Sequence, residues 1–234
     1  MSKRRTGICG LCGTEAETTQ EHFVPRCLWS GPRPNRVETI PGCDTCNGGS
    51  NQDDEYFRNA LVMMFDQDHP QKQQLFTGPV MRTLGRHPGW VRHMLENARV
   101  GPQYSPAGLW IGDFPILPLD LARFNRSLLK IVKGLYYLIR HKQPFPPGGI
   151  VGLVGQLNED TKPLIDFIEQ HLFEPTFSFG DDVFEWRFSQ IRDGLTMWKL
   201  AFYRSVVFYA VAADNADALS LNNERPDLLT PPAT

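Results

Sequence analysis

The sequence predicts an α+β protein in which a small zinc-stapled unit is followed by a helix and an antiparallel hairpin. Three observations carry this: Cys-x-x-Cys pairs at Cys9/Cys12 and Cys43/Cys46, an amphipathic stretch over 119–141, and two β-patterned runs flanking Asp193-Gly194. The chain then divides into a zinc-binding unit at 1–69, a basic connector at 70–118, a helix and hairpin region at 119–213, and a tail at 214–234.

The first 50 residues hold few apolar runs and are rich in Cys, Gly, Pro and Thr, so a core there needs a staple. Two residues between cysteines let both thiolates turn onto one ion, and two such knuckles complete a tetrahedral zinc site with four sulfur ligands. Gly10 and Gly13 permit the tight turn of the first knuckle, and Gly42 precedes the second. Cys27 lies outside the pattern and reads as a small core residue. Ser50 opens an expected helix, in which Phe57, Leu61 and Met64 repeat at helical spacing and His69-Pro70 marks the end. Asp53, Asp54 and Glu55 suit the positive end of its dipole; Asp54, seven residues after Asn47, could share that residue's helical face, and the dipole reading is the preferred one.

Residues 70–118 carry many Pro and Gly and read as loop-rich, with one or two short elements. Over 119–141, Leu121, Phe124, Leu128, Ile131, Leu135 and Leu138 form one stripe, with Arg123, Arg126, Lys130, Lys133 and Arg140 on the other side. The Pro-Phe-Pro-Pro-Gly-Gly run at 144–149 stops this helix. Alternation over 183–191 places Phe184, Trp186 and Phe188 on one face, and a long apolar run extends from 195 to about 212. Asp193-Gly194 between them suits a tight hairpin turn, and the aromatic residues read as core. The tail from Asp214 is expected to fray.

Twenty-four Lys and Arg against 26 Asp and Glu give a net charge of -2, which hides a segregation. Residues 70–142 hold 11 basic and 3 acidic groups, or +8, whereas 143–234 hold 6 and 13, or -7. A basic middle can offer a surface to phosphates, and the stripe on 119–141 is either a phosphate rail or an ordinary solvated face. No stretch approaches the roughly 18 consecutive apolar residues of a membrane span, so no membrane partner is expected. Basic residues at 1–5 meet polar ones, so no secretory signal is expected and the chain reads as cytoplasmic. Five cysteines in a reducing compartment do not read as a disulfide framework.

Cys9-x-x-Cys12, Glu21-His22-x-x-Pro25, Asn35 and Cys43-x-x-Cys46-Asn47, in this order, resemble the zinc-stapled HNH endonucleases of the His-Me finger class. The likeness covers about residues 6–66. Its outer string, Arg33-Pro-Asn-Arg36, Val37, Thr39-Ile-Pro41 and Asp53-Asp-Glu-Tyr-Phe-Arg58, is similar to uncharacterised bacterial HNH-type proteins. The resemblance implies a ββα or treble-clef unit and metal-dependent hydrolysis of phosphodiester bonds, most naturally in DNA. It implies His22 as the general base, a task an imidazole with an ordinary pKa of about 6.5 can perform near neutrality. It implies Glu21 and Asn47 as holders of a magnesium-type cation, with Asn35 holding the loop or orienting the base. Consecutive strand residues point to opposite faces, so Glu21 and His22 can share a site only at a strand end or bend. The alternative is a non-catalytic zinc-stapled module that binds nucleic acid through the basic middle. His69, His87, His93, His141 and His171 show no metal spacing.

Overall fold

The computed structural model describes residues 5–32, 34, 37–47, 50–64, 68–104, 109–154, 161–173, 176–180, 182–192 and 194–213, and it is α+β. Asn35, Asp193 and the tail from Asp214 lie outside the described residues.

The N-terminal unit is an antiparallel sheet of β1 (Arg5–Ile8), β2 (Glu15–Glu21) and β3 (Ile40–Cys43), ordered as in the chain. The chain turns between β1 and β2 through a knuckle in which the Cys9 N–H donates to the Thr14 carbonyl at 2.9 Å and the Gly13 N–H to the Cys9 carbonyl at 2.9 Å. β3 runs directly into α1 (Asp44–Asn47), and α2 (Ser50–Met63) follows. α2 stops at Met63, six residues before the expected His69-Pro70 end.

The segment expected to be loop-rich is largely regular. α3 (Pro70–Leu75), a π-helical turn (Phe76–Val80) and α4 (Met81–Arg86) follow one another, and α5 (Pro88–Glu96) precedes a hairpin of β4 (Arg99–Tyr104) and β5 (Trp110–Ile116). Two of the prolines that read as breakers start helices. Pro70 and Pro88 sit in first turns, where a missing N–H leaves no intrahelical bond unmade. Pro79 falls in the π turn, where the hydrogen-bond ladder is already widened.

α6 (Leu121–Ile139) follows the expected stripe and begins at Asp120, whose side chain accepts from the Arg123 N–H at 3.1 Å. Beyond it the single expected hairpin is the centre of a five-stranded antiparallel sheet. This contains β6 (Ile150–Val154), β7 (Phe177–Phe179), β8 (Phe184–Arg192), β9 (Leu195–Phe202) and β10 (Val206–Ala213), in the order β6-β10-β9-β8-β7, with α7 (Lys162–His171) between β6 and β7 in the chain. Gly194 takes φ +76° in the expected turn. The apolar run from 195 is broken by a second tight turn, with Tyr203 at φ +50° and Arg204 at +63°, which no Gly or Asn announces. Tyr203 holds that conformation because it is buried and its hydroxyl donates to the Leu28 carbonyl at 2.8 Å.

α7 covers one face of this sheet, packing its Leu164 and Ile168, with Leu172 just beyond its end, on Leu195, Met197 and Val211. A second buried cluster joins Phe184, Phe202 and Phe208 to Phe124, Leu128 and Leu135 of α6, Phe57 of α2, and Phe23 and Cys9 of the N-terminal unit. The cysteine unit and the C-terminal sheet therefore share one core. Gly134, in the middle of α6, lets Phe23 lie directly on the helix: a Cβ there would fall 2.3 Å from Phe23 Cγ. Gly134→Ala is expected to destabilise by about 1–3 kcal/mol through this clash, against the roughly 1 kcal/mol that alanine gains in helix propensity. Denaturation midpoints of the two proteins check this, and a more stable variant would contradict the contact.

Candidate functional site

The two knuckles meet because β3 lies beside β2 and places Cys43 opposite Thr18. The sulfur atoms of Cys9, Cys12, Cys43 and Cys46 all lie within 4.8 Å of one another, and Cys12 and Cys43 sulfurs are 3.8 Å apart. Tetrahedral zinc with bonds of about 2.3 Å requires sulfur–sulfur edges of about 3.8 Å, so this cluster could hold a metal such as zinc. The Cys43 N–H also donates to Cys9 Sγ at 3.4 Å. A hydrogen bond from Cys46, together with backbone N–H groups, holds the Cys9 thiol well below its ordinary value, while the same bond pushes Cys46 up. Negative charge thus has a prepared place among the sulfurs, as cation binding needs. Among the described residues, the expected non-ligand histidines join no such cluster. Cys27 is also apart from it: its thiol donates to the Asp54 carbonyl at 3.3 Å, and burial pushes its pKa up to about 12.

Three residues along β2 from Thr18, about 10 Å at the rise of a strand, Glu21 ends the strand. Its side chain lies across Gly42, whose absent Cβ would sit 2.8 Å from Glu21 Cβ. His22 is the first residue beyond β2 and is half-buried, so it is released from strict alternation with Glu21. Asn47, at the end of α1, donates from Nδ2 to Thr19 Oγ1 at 3.4 Å. Thr19 and Glu21 are two residues apart, so Asn47 and Glu21 address the same face of β2.

The sequence did not foresee the buried ammonium on that face. Lys130 of α6 donates to Glu21 Oε1 at 3.1 Å and to Asp54 Oδ2 at 2.7 Å, with the Lys130 side chain 6% exposed. Ser127 Oγ donates to Asp54 Oδ1 at 3.1 Å. Burial pushes both carboxyls above the ordinary range, and the Lys130 charge pulls them back down. Asp54 is therefore a buried partner of α6 and not simply a residue complementing the helix dipole. Asp53 is similarly engaged, accepting from Arg126 Nε at 2.7 Å and Arg123 Nε at 3.0 Å, which hold its pKa down. The Arg123 guanidinium also lies 4.7 Å from the Tyr56 ring centroid, and the Tyr56 hydroxyl accepts from the Asp120 N–H at 2.6 Å. Three cations of the basic stripe are thus held by carboxylates of β2 and α2. A clue was present in α6: Ser127 and Gly134 are small residues on the basic side, and a solvated face has no use for a helix-weakening glycine.

No family model, curated protein or solved structure matches the chain.

Proposed function

We propose that the N-terminal unit is the catalytic centre of an HNH-type endonuclease that hydrolyses phosphodiester bonds in DNA, stapled by zinc at Cys9, Cys12, Cys43 and Cys46. The observation that carries this reading is the common face of β2. Asn47 reaches Thr19, Glu21 follows two residues on, and His22 stands just past the strand, on the same sheet whose β3 ends at Cys43 of the four-cysteine cluster. His22 removes a proton from the attacking water. Asn47 and Glu21 present oxygen donors of the hard kind that magnesium accepts, and Lys130 takes Oε1 of Glu21, so the carboxylate has a second oxygen to offer. A magnesium-type cation held there would stabilise the phosphate charge and the leaving oxygen. Asn35, outside the described residues, is assigned the part of holding the loop or orienting the base. The non-catalytic alternative relied on the basic middle, and the engagement of Arg123, Arg126 and Lys130 with carboxylates removes part of its support.

The test is plasmid nicking by the purified protein with magnesium or manganese. His22→Ala is expected to nick at least about 100-fold more slowly, the scale of a general base. Equal rates at matched zinc content would remove His22 from the mechanism. Salt-sensitive binding without nicking by the wild type would replace the proposal with the binding module.

A further inference from the structure

The cations of α6 are spent within the fold. Carboxylates hold Arg123, Arg126 and Lys130, while Lys133 and Arg140 lie over the rings of Phe145 and Tyr136. Another set is not spent. α4, α5 and the start of β4 carry Arg82, Arg86, Arg92 and Arg99, all exposed, and none of these has an ion pair or side-chain hydrogen bond among the described residues. Glu96 is the sole acidic residue from 69 to 112, so four arginines against one carboxylate leave a surplus of three positive charges on these elements. Helix periodicity turns them outward. Val80 and Leu84 pack toward the main core, which leaves Arg82 and Arg86, one turn apart, on the outer side of α4. In α5, Met94 is buried and Trp90 partly so, which sets Arg92 on the opposite side.

Free guanidiniums suit phosphate, which they meet with paired N–H donors. The set also stands close to the proposed site. The Trp90 ring meets the Tyr56 ring edge-on with centroids 6.4 Å apart, and Tyr56 lies two residues beyond Asp54, which shares the Lys130 ammonium with Glu21. That path is shorter than one turn of B-DNA, about 34 Å, so a single duplex can meet both. A duplex carries one phosphate charge per roughly 1.7 Å of its axis, so arginines spread over two helices all find partners on it. A single strand is gripped through stacking platforms, and Trp90 is already spent on Tyr56. We propose that Arg82, Arg86, Arg92 and Arg99 form a sequence-independent contact surface for the phosphate backbone of double-stranded DNA, holding the duplex while its scissile bond lies at the N-terminal unit. The choice of DNA rests on the nuclease reading, whereas the contact itself needs no cleavage.

The experiment is fluorescence anisotropy of a labelled DNA duplex about two helical turns long, titrated with the full-length, zinc-loaded chain at several salt concentrations and without added magnesium. Each phosphate contact contributes about 0.9 to the slope of log K against log salt. The variant carrying Arg82→Gln, Arg86→Gln, Arg92→Gln and Arg99→Gln is therefore expected to lose about 3–4 from the wild-type slope. Its affinity at about 0.1 M salt should fall at least 100-fold, with zinc content and melting temperature unchanged. Arg82→Gln with Arg86→Gln alone should lose about half as much slope. Lys162→Gln, on α7 and paired with Asp166, is the control and should leave the slope as it is. A fourfold variant that keeps the wild-type slope overturns the surface and leaves the nuclease reading standing. A wild type that binds no duplex overturns it too, whether or not it binds anionic lipid vesicles. The expected loss of slope in a protein that never nicks plasmid keeps the surface and removes the nuclease reading alone.

Discussion

Replacing Cys9 or Cys43 by alanine is expected to unfold the N-terminal unit and to lower the melting temperature of the whole chain. The sheet to be held has strands of only four, seven and four residues, and β1 is largely exposed, so its own packing is thin. Structural zinc contributes an apparent 10–16 kcal/mol, roughly, to folding in isolated zinc fingers, far more than such a sheet gains by burial. The effect spreads because the unit shares a core with the C-terminal sheet: Phe23, Val24 and Ile40 would lose their cover together with part of the surface over Phe57 and Leu135. Metal analysis is expected to give one zinc per chain. Chelation should lower the melting temperature as the substitutions do, with weaker binding as pH falls and the sulfurs regain protons. Cys27→Ala is the control, expected to keep the zinc, because Cys27 sits at the Asp54 carbonyl and burial opposes its ionisation. A wild type that holds no zinc and melts identically with chelator would end the zinc reading.

The parts of the fold legible in the sequence were those set by local periodicity. The stripe from Leu121 to Leu138 gave α6, and the alternation around Trp186 with Gly194 gave the β8–β9 turn. What escaped was settled by distant contacts. The Tyr203-Arg204 turn adopts positive φ because Leu28, 175 residues away in the chain, accepts the Tyr203 hydroxyl, and no local composition encodes that. The helices of 70–96 were hidden because Pro at the start of a helix and Pro that breaks one are the same letter. The cysteine cluster was readable because ligand spacing is itself local. Lys130 was not, because a basic residue opposite an apolar stripe looks the same whether it meets water or two carboxylates. The string Asp53-Asp54-Glu55-Tyr56-Phe57-Arg58 acquires its meaning only with α6 present: Asp53 meets Arg123 and Arg126, Asp54 meets Lys130, Tyr56 meets the start of α6, and the Phe57 ring packs tilted on Phe124 with centroids 4.7 Å apart.

Lys130→Met is expected to destabilise the protein by about 3–5 kcal/mol, the range for removing one partner from a buried ion cluster. The methionine fills the space of the lysine stem but leaves Glu21 and Asp54, whose side chains are 11% and 12% exposed, facing each other without a counter-ion. The loss should depend on pH in a definite sense. Burial already holds both carboxyls above the ordinary range. A folded carboxyl that titrates above its unfolded value keeps a proton the unfolded chain has released, so its stability contribution falls as pH rises from the unfolded value through the folded one. Removing Lys130 lifts both carboxyls further and widens that window upward. The gap between variant and wild type should therefore be largest near about pH 8 and shrink toward about pH 5 as the pair takes up protons, read by calorimetric melting at both values. Adding Glu21→Gln and Asp54→Asn to the variant should restore much of the loss at high pH. An equal gap at both pH values, with no rescue, would mean that Lys130 acts through its stem alone. Lys130 reaches Glu21 across 109 residues of chain, so a fragment ending before α6 lacks the charge that steadies the Glu21 carboxylate. The N-terminal unit is accordingly expected to assemble its proposed site only within the whole fold.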